Sequence, residues 1–205
     1  MNLAKVLPMT FVMIAGPQVL SAIFLATSEN WRRNSVAYIS GAALSITAIV
    51  SASYFLINGL KDGGTSDEAV YVVILVLLVL VAIRTYIKRE ESQPPQWMGK
   101  LQGAEPKFSF KLGFLLLGVF PTDILTSVAV GQYLANHDSP WWHCAVFIGV
   151  TLFLLAIPLL GLLAFGERAQ AAMPKARDWM NNNSWVVSEI VIGLFVVLTL
   201  NDILG

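Results

Sequence analysis

The chain has 205 residues, of which 56% are apolar and only 13% charged, with a mean hydropathy of +0.68. Soluble domains carry about 25% charged residues, so this composition indicates an integral membrane protein, and a formal net charge of zero gives no field that would attract nucleic acid. The single cysteine, Cys144, excludes an internal disulfide, a CxxC redox pair and a cysteine-based metal site.

Six apolar segments follow one another along the chain. They cover residues 7–27, 35–57, 69–87, 110–134, 141–165 and 185–200. Each comes close to the roughly 20 residues that a helix needs to cross a bilayer core about 30 Å thick. The first contains Pro17 and is too long for the apolar stretch of a signal peptide, so we predict a membrane helix there.

Basic residues are concentrated in the loops on one side of these segments. Eleven of the 13 Lys and Arg lie in the connections between the first and second, third and fourth, and fifth and sixth segments or, like Arg84 and Lys111, at the adjoining segment ends. Only Lys5 and Lys61 lie on the other side. The positive-inside rule therefore predicts a multi-pass protein of the cytoplasmic (inner) cell membrane with both termini outside.

The second segment is rich in small residues at a spacing of three or four. They are Ala37, Gly41, Ser45, Ala48 and Ala52. Helices in lipid associate through close backbone approach at small side chains, so this segment is predicted to lie at the centre of the bundle.

The two halves of the chain share a pattern. Pro121 in the fourth segment lies 104 residues after Pro17 in the first, and Gly149 in the fifth lies 108 residues after Gly41 in the second. A repeat of three helices places its second copy in the opposite orientation, as in many transporters. The predicted fold is an all-α integral membrane protein with six transmembrane helices, built as two inverted three-helix repeats with proline-broken helices one and four. A single membrane domain then comprises a first repeat (1–87), a cytoplasmic linker (88–108) and a second repeat (109–205).

Both prolines fall near the centre of the bilayer. Pro17 lies 12 residues past Lys5 and Pro121 lies 10 residues past Lys111, or about 18 Å and 15 Å of helix. Proline is favoured as the first residue of a helix, so each break could begin a half-helix whose positive end points at the midplane and binds an anionic group. The alternative is a pair of ordinary kinks that only shape packing.

Asp123 is the only acidic residue deep inside a predicted span. Because a charge at that depth is costly, the residue could serve as a proton or cation coupling site or as a polar contact to substrate. The local alternative is that its carboxylate complements the dipole of the half-helix that begins at Pro121. An ionised Asp123 would repel an anionic substrate, so it is expected either to be neutral or to serve a cation.

The other candidate site residues surround the two breaks. We expect a substrate or coupling site formed by Gly16, Pro17, Gln18, Ser21, Pro121, Thr122, Asp123 and Thr126, with Ser127 nearby. The hydroxyl groups could instead bond to their own helix backbone. Secondary candidates are Glu167, Arg168 and Glu189 near the cytoplasmic boundary. Residues 169–179 predict a short interfacial helix interrupted by Pro174. No catalytic or metal-ligand constellation occurs, so neither an enzyme nor a metal or other cofactor is expected.

Four stretches carry a resemblance to a known family. The first is Ala15-Gly16-Pro17 with the later Arg32-Arg33-Asn34, and the second is Pro121 with the polar pair Thr122-Asp123. The third contains Pro94, Pro95 and Trp97. The fourth is Gly166-Glu167-Arg168-Ala169, followed by Ala176-Arg177-Asp178-Trp179 and Asn182-Asn183. Over essentially its whole length the chain resembles the GAP family, the peptidoglycolipid- or sulfolipid-addressing proteins of the LysE exporter superfamily.

That resemblance implies a six-helix protein in a superfamily of exporters, from a family linked with moving glycolipids to the cell surface. The family often has an Asn-Pro-Lys-Asn type of stretch in helix four, whereas this chain has Phe120-Pro121-Thr122-Asp123. The departure weakens any transfer of substrate-binding roles to these positions.

Three functional hypotheses remain open. The first is an exporter, or export accessory protein, for a lipid-linked or amphiphilic substrate, which predicts a lateral opening lined by small residues. The second is a LysE-like exporter of a small ion or amino acid, which predicts a closed polar cavity at the two prolines. The third is a non-transporting membrane subunit of a lipid-export complex, which predicts neither the lateral opening nor the polar cavity and a fully paired Asp123. Expected partners are membrane lipids, a lipid-linked or small-molecule substrate, and a second copy or larger export complex, but no nucleic acid.

Overall fold

The computed structural model describes residues 3–14, 16–62, 101 and 103–182. They form α1 (Leu3–Ile14), α2 (Pro17–Ala26), α3 (Trp31–Asp62), α4 (Pro106–Val119), α5 (Pro121–Asn136), a 3-10 turn (Trp141–His143), α6 (Cys144–Phe165) and α7 (Glu167–Asn182). No strand occurs in these ranges, so the predicted all-helical class is confirmed for them. The third and sixth predicted segments, 69–87 and 185–200, lie outside the described residues.

Two of these helices are long and apolar enough to cross a membrane without a break, over Trp31–Leu60 and Trp141–Phe165. Two further candidates are bent pairs. Pro8–Ile14 and Pro17–Ala26 meet at 64°, and Pro106–Val119 and Pro121–Asn136 meet at 67°. The described residues therefore supply two to four candidate spans, as expected for a membrane protein.

Each bend occurs at one of the two prolines singled out in the sequence. Pro17 begins α2 and Pro121 begins α5, the position where a missing backbone N–H costs least. The prediction that the first and fourth segments are broken is therefore confirmed. The breaks differ in backbone: Gly16 precedes Pro17 at φ 124°, whereas Phe120 precedes Pro121 in an extended conformation at φ −66°.

Helices α3 and α4 approach each other through two glycines. A Cβ at Gly41 would clash with the main-chain carbonyl of Phe110, and a Cβ at Gly113 would clash with that of Tyr38. Further along, Gly118 contacts Ser45. Because the contacts advance together along both helices, α3 and α4 run in the same direction and begin at the same end of the bundle.

The predicted line of small residues in α3 is only partly right. Gly41 and Ser45 are buried, but Ala48 and Ala52 are exposed. The buried stripe of α3 instead follows Tyr38, Ala42, Ile46, Val50 and Ile57, most of which have large side chains. The reason is that α5 packs on the far end of α3 along the line of Val50 and Ser53, which Gly131 of α5 approaches closely, and not along that of Ala48 and Ala52.

Each long helix packs on the broken helix of the other half of the chain. α3, from the first half, packs mainly on α4 and α5 of the second, and α6 packs on α1 and α2 of the first as well as on α3. Two hydrogen bonds join the far end of α3 to the connection between α5 and α6. Trp141 Nε1 donates to Ser51 Oγ at 3.0 Å, and the Tyr54 hydroxyl donates to the Ser139 carbonyl at 3.0 Å. This packing holds the two breaks side by side.

Helix α7 follows α6 after a sharp turn at Gly166, whose φ of 53° suits glycine. The predicted interruption at Pro174 is wrong, because the helix continues through it from Glu167 to Asn182. Pro174 is exposed on α7.

Candidate functional site at the two helix breaks

Gln18 and Asp123 connect the two broken helices directly. Gln18 is the second residue of α2 and Asp123 the third residue of α5. Gln18 Nε2 donates a hydrogen bond to Asp123 Oδ2 at 2.6 Å. Both side chains are almost completely buried, at 1% and 0% exposure. The structure therefore brings together two predicted site residues that are 105 positions apart in the chain.

Unpaired oxygens surround this contact. Gln18 Oε1, Asp123 Oδ1 and Ser127 Oγ are buried and have no hydrogen-bond partner in the described part of the chain. Ser127 lies one turn after Asp123 on the same face of α5. Each unsatisfied buried polar group costs about 1–3 kcal/mol, so three of them close together mark a site that is incomplete as it stands. The Gln18 and Asp123 oxygens lack a hydrogen-bond donor or a cation, whereas the Ser127 hydroxyl can both donate and accept.

Asp123 has no basic partner, since the described residues place no ion pair on it. It lies in the first turn of α5, where the helix dipole stabilises a negative charge by about 0.3–1 kcal/mol, or up to ~2 kcal/mol in favourable geometry. Burying an ionised carboxylate costs several kcal/mol even after relaxation. The dipole alone therefore does not offset the burial of a charged Asp123, and the purely local explanation is insufficient.

Tyr38 anchors the start of α2 on α3. Its hydroxyl donates to the main-chain carbonyl of Gln18 at 2.8 Å, and its side chain is fully buried. Sequence reasoning missed this residue. The available signal was its position one helical turn before Gly41 on the small-residue face of the second segment.

Gly16 makes room for the amide of Gln18. A Cβ at Gly16 would lie 3.2 Å from Gln18 Oε1, and the backbone there has φ 124°, which side chains rarely tolerate. Gly16, a predicted site residue, thus allows the backbone turn at the break and leaves space for the Gln18 side chain.

Two predicted hydroxyl groups bond to their own backbone. Ser21 Oγ donates to the Pro17 carbonyl at 2.5 Å, and Thr126 Oγ1 donates to the Thr122 carbonyl at 2.7 Å. Thr122 itself is exposed. The local alternative therefore accounts for the Ser21 and Thr126 hydrogen bonds.

The secondary candidates lie apart from the breaks. Glu167 and Arg168 are exposed at the start of α7, and Glu189 lies outside the described residues. Arg168 borders a shallow apolar groove between α6 and α7, together with Phe165, Ala169, Ala172, Met173 and Ala176. Neither Gln18 nor Asp123 lines this groove.

A second groove of about 450 Å³ lies where α3 and α4 begin. Its lining residues are Arg32, Arg33, Val36, Ala37 and Pro106. Both arginines are exposed, and the first turn of α3 contains no acidic residue. The Arg32 guanidinium lies 4.9 Å from the centre of the Trp31 ring. The groove thus combines two positive charges with an apolar floor, and we call it the arginine groove.

The fold and the site define an all-helical membrane protein in which two proline-broken helices meet at a buried carboxyl–amide contact. A family model described as Sap, sulfolipid-1-addressing protein, matches residues 6–204. The chain therefore belongs to the sulfolipid-1-addressing protein family, which confirms the family resemblance seen in the sequence. No curated protein and no solved structure matches it.

Proposed function

We propose that this protein is an exporter, or an export accessory protein, for an anionic lipid-linked or amphiphilic substrate. The family description, which names a sulfolipid, supports this substrate class. The observation that carries the transport role is the buried Gln18–Asp123 contact with its unpaired oxygens. A purely structural subunit would be expected to pair Asp123 completely, and Oδ1 has no partner in the described residues.

The proposal includes six spans arranged as an inverted repeat in the cytoplasmic membrane. Three observations support it: the similar bends of 64° and 67°, the prolines that begin α2 and α5, and the packing of α3 and α6 each on the broken helix of the other half. Broken helices that meet at mid-membrane are a common way to build a binding site in transporters.

In this proposal the arginine groove receives the headgroup. Arginine forms paired hydrogen bonds with sulfate and phosphate groups, and basic pockets at the cytoplasmic membrane surface suit anionic headgroups. Val36 and Ala37 offer an apolar surface for the attached chain. Substrate would bind there before it reaches the breaks.

The test is mass spectrometry of the lipids that copurify with the full chain. We expect the native protein to enrich acidic amphiphiles, the double variant Arg32→Gln/Arg33→Gln to lose most of that enrichment, and Asp123→Asn to change its amount. The control, Arg168→Gln/Lys175→Gln, removes the same charge from exposed positions at α7. Absence of any enriched acidic lipid in the native protein would sink the proposal.

A second candidate is the export of a small cation, favoured by the unpaired oxygens of Gln18, Asp123 and Ser127. Oxygen atoms in a buried cluster are suitable ligands for a hard cation. Cation efflux from proteoliposomes that requires Asp123 but is unaffected by the Arg32→Gln/Arg33→Gln change would favour this candidate over lipid export.

A further inference from the structure

The side chains of Gln18 and Asp123 face each other with one hydrogen bond made and one missing. Each side chain ends in a planar group with two polar atoms. Gln18 Nε2 and Asp123 Oδ2 are bonded at 2.6 Å, while the other member of each group, Gln18 Oε1 and Asp123 Oδ1, is buried without a partner. Both remaining atoms are acceptors when the carboxyl group is ionised, so they cannot bond to each other in that state.

We propose that Gln18 and Asp123 together form a proton-binding site, in which a proton on Asp123 Oδ1 donates to Gln18 Oε1 and completes a cyclic acid–amide pair. A protonated carboxyl group gains one O–H donor, which is the group that the contact lacks. The proton comes from a hydronium ion of the solvent: its O–H bond breaks, the Oδ1–H bond of Asp123 forms, and a water molecule is released. This inference rests on the proposed function only where it assigns the proton a role in transport.

The surroundings of Asp123 favour a neutral acid. The side chain has no exposure and no basic partner among the described residues, so an ionised form would be buried with only the Gln18 amide and the helix dipole to stabilise it. The other titratable side chain that interacts with it is Tyr38 of α3, whose hydroxyl is already bonded to the Gln18 carbonyl. α2 and the described side chains of α1 (8–14) contain no titratable group. α6 contributes only Cys144 at its start, and Lys107 and Lys111 of α4 are exposed.

The ligand set favours a proton over a metal ion. No group of three or more His, Cys, Asp or Glu that could hold a metal ion occurs within 3–14, 16–62, 101 and 103–182. Asp123 is the one carboxylate at the contact, whereas divalent cations are usually held by several oxygen ligands with more than one negative charge. A single acid beside a single amide is suited to one proton.

The proton would control the contact between the two broken helices. When Asp123 releases it, the pair loses the Oδ1–H to Oε1 bond and gains a buried charge, so α2 and α5 separate more easily and water can enter. When the proton binds again, the pair closes. Opening of the breaks is then linked to one proton per cycle, which supplies an energy source for the proposed export.

The Asp123→Asn variant separates this proposal from an ordinary hydrogen bond to a charged aspartate. Asparagine has the shape of the protonated acid, since its Nδ2 can donate to Gln18 Oε1 while its Oδ1 accepts from Gln18 Nε2. We expect the thermal stability of the native protein to fall as the pH rises, because the proton that favours the folded, closed pair is lost. Asp123→Asn should lack this fall and be more stable than the native protein at high pH, and Asp123→Leu should be less stable than Asp123→Asn at every pH.

A second measurement uses the native sequence alone. The full chain in detergent is treated with N,N′-dicyclohexylcarbodiimide, which reacts with protonated carboxyl groups in apolar surroundings, and the Asp123 peptide is analysed by mass spectrometry. Labelling should be strong at low pH, decline at least tenfold as the pH rises, and be unchanged by sodium. Protection by sodium would overturn the proposal in favour of a cation.

The proposal is also wrong if Asp123 is not labelled at any pH, or if Asp123→Asn is less stable than the native protein throughout. These outcomes are separate from those of the lipid experiment. If no acidic lipid copurifies but labelling of Asp123 depends on pH, the proton site stands and the lipid function fails. If lipid copurifies and labelling is absent, the reverse holds.

Discussion

The two helix breaks have nearly the same shape but complementary chemistry. The bends measure 64° and 67°, and a proline begins the second helix of each pair. The first break uses Gly16 at positive φ and then presents an amide, Gln18, while the second uses an extended Phe120 and then presents a carboxyl group, Asp123. Two different local solutions thus produce one geometry, and neither break forms the polar contact without the other.

The long helices that follow the two breaks, α3 and α6, differ in how their glycines pack. Gly41 of α3 lies against the backbone of α4, whereas Gly149 of α6, its counterpart in the predicted repeat, is exposed with open space where a Cβ would be. The resemblance between the halves therefore extends to the breaks but not to the packing of these two glycines.

The largest loss of stability is expected at Gly41, and it tests the difference in packing between Gly41 and Gly149. Gly41→Leu places side-chain atoms on the Phe110 carbonyl and should lower the free energy of unfolding by about 3 kcal/mol or more, since overpacking against backbone cannot be relieved by a rotamer change. Thermal unfolding in detergent measures it. The matched control, Gly149→Leu, should change stability by less than about 0.5 kcal/mol. Equal effects at both positions would contradict the difference.

The next effect distinguishes the two breaks themselves. Gly16→Ala requires a side chain at φ 124° and brings its Cβ within 3.2 Å of Gln18 Oε1, so we expect a loss of about 1–3 kcal/mol. Phe120→Ala, at the equivalent position of the second break, keeps a conformation open to any residue and should cost less than Gly16→Ala because Phe120 is 40% exposed. Thermal unfolding of both variants measures the two losses of stability. A larger loss for Phe120→Ala than for Gly16→Ala would contradict the expected order.

A smaller effect is expected where the first break is anchored to α3. Tyr38→Phe removes the hydrogen bond to the Gln18 carbonyl and should cost about 1 kcal/mol. Tyr54→Phe removes a similar bond to the Ser139 carbonyl at the far end of α3 and serves as its control. Both should reduce stability alike, but only Tyr38→Phe should alter carbodiimide labelling of Asp123. Unaltered labelling in Tyr38→Phe would show that this anchor does not act on the pair.

The smallest effects are expected at the two hydroxyl groups bonded to their own backbone. Ser21→Ala and Thr126→Val each remove a bond to a carbonyl one turn earlier, so stability should change by less than about 1 kcal/mol. Lipid copurification and Asp123 labelling should be unchanged. If one variant clearly loses lipid copurification or Asp123 labelling, its hydroxyl group belongs to the site. That helix break then supplies a further site residue besides Gln18 or Asp123.

Several properties followed from the sequence alone. A proline inside a long apolar segment marks a candidate break, because the lost N–H and the ring clash are local, although α6 and α7 continue through Pro158 and Pro174. The positions of Pro17 and Pro121, and Asp123 as an acid near one of them, were therefore readable from the chain. The family could be recognised as well, since it depends on short stretches of residues.

Only the tertiary structure decided which atoms meet. That Gln18 faces Asp123 depends on how α1, α2, α4 and α5 pack around α3 and α6, and apolar periodicity does not determine the rotation of one helix against another. The same packing exposes Ala48 and Ala52, which the spacing of small residues had placed at the centre. The two breaks occur at prolines that the sequence marks, whereas the pairing of an amide with an acid 105 residues away is a consequence of the whole fold.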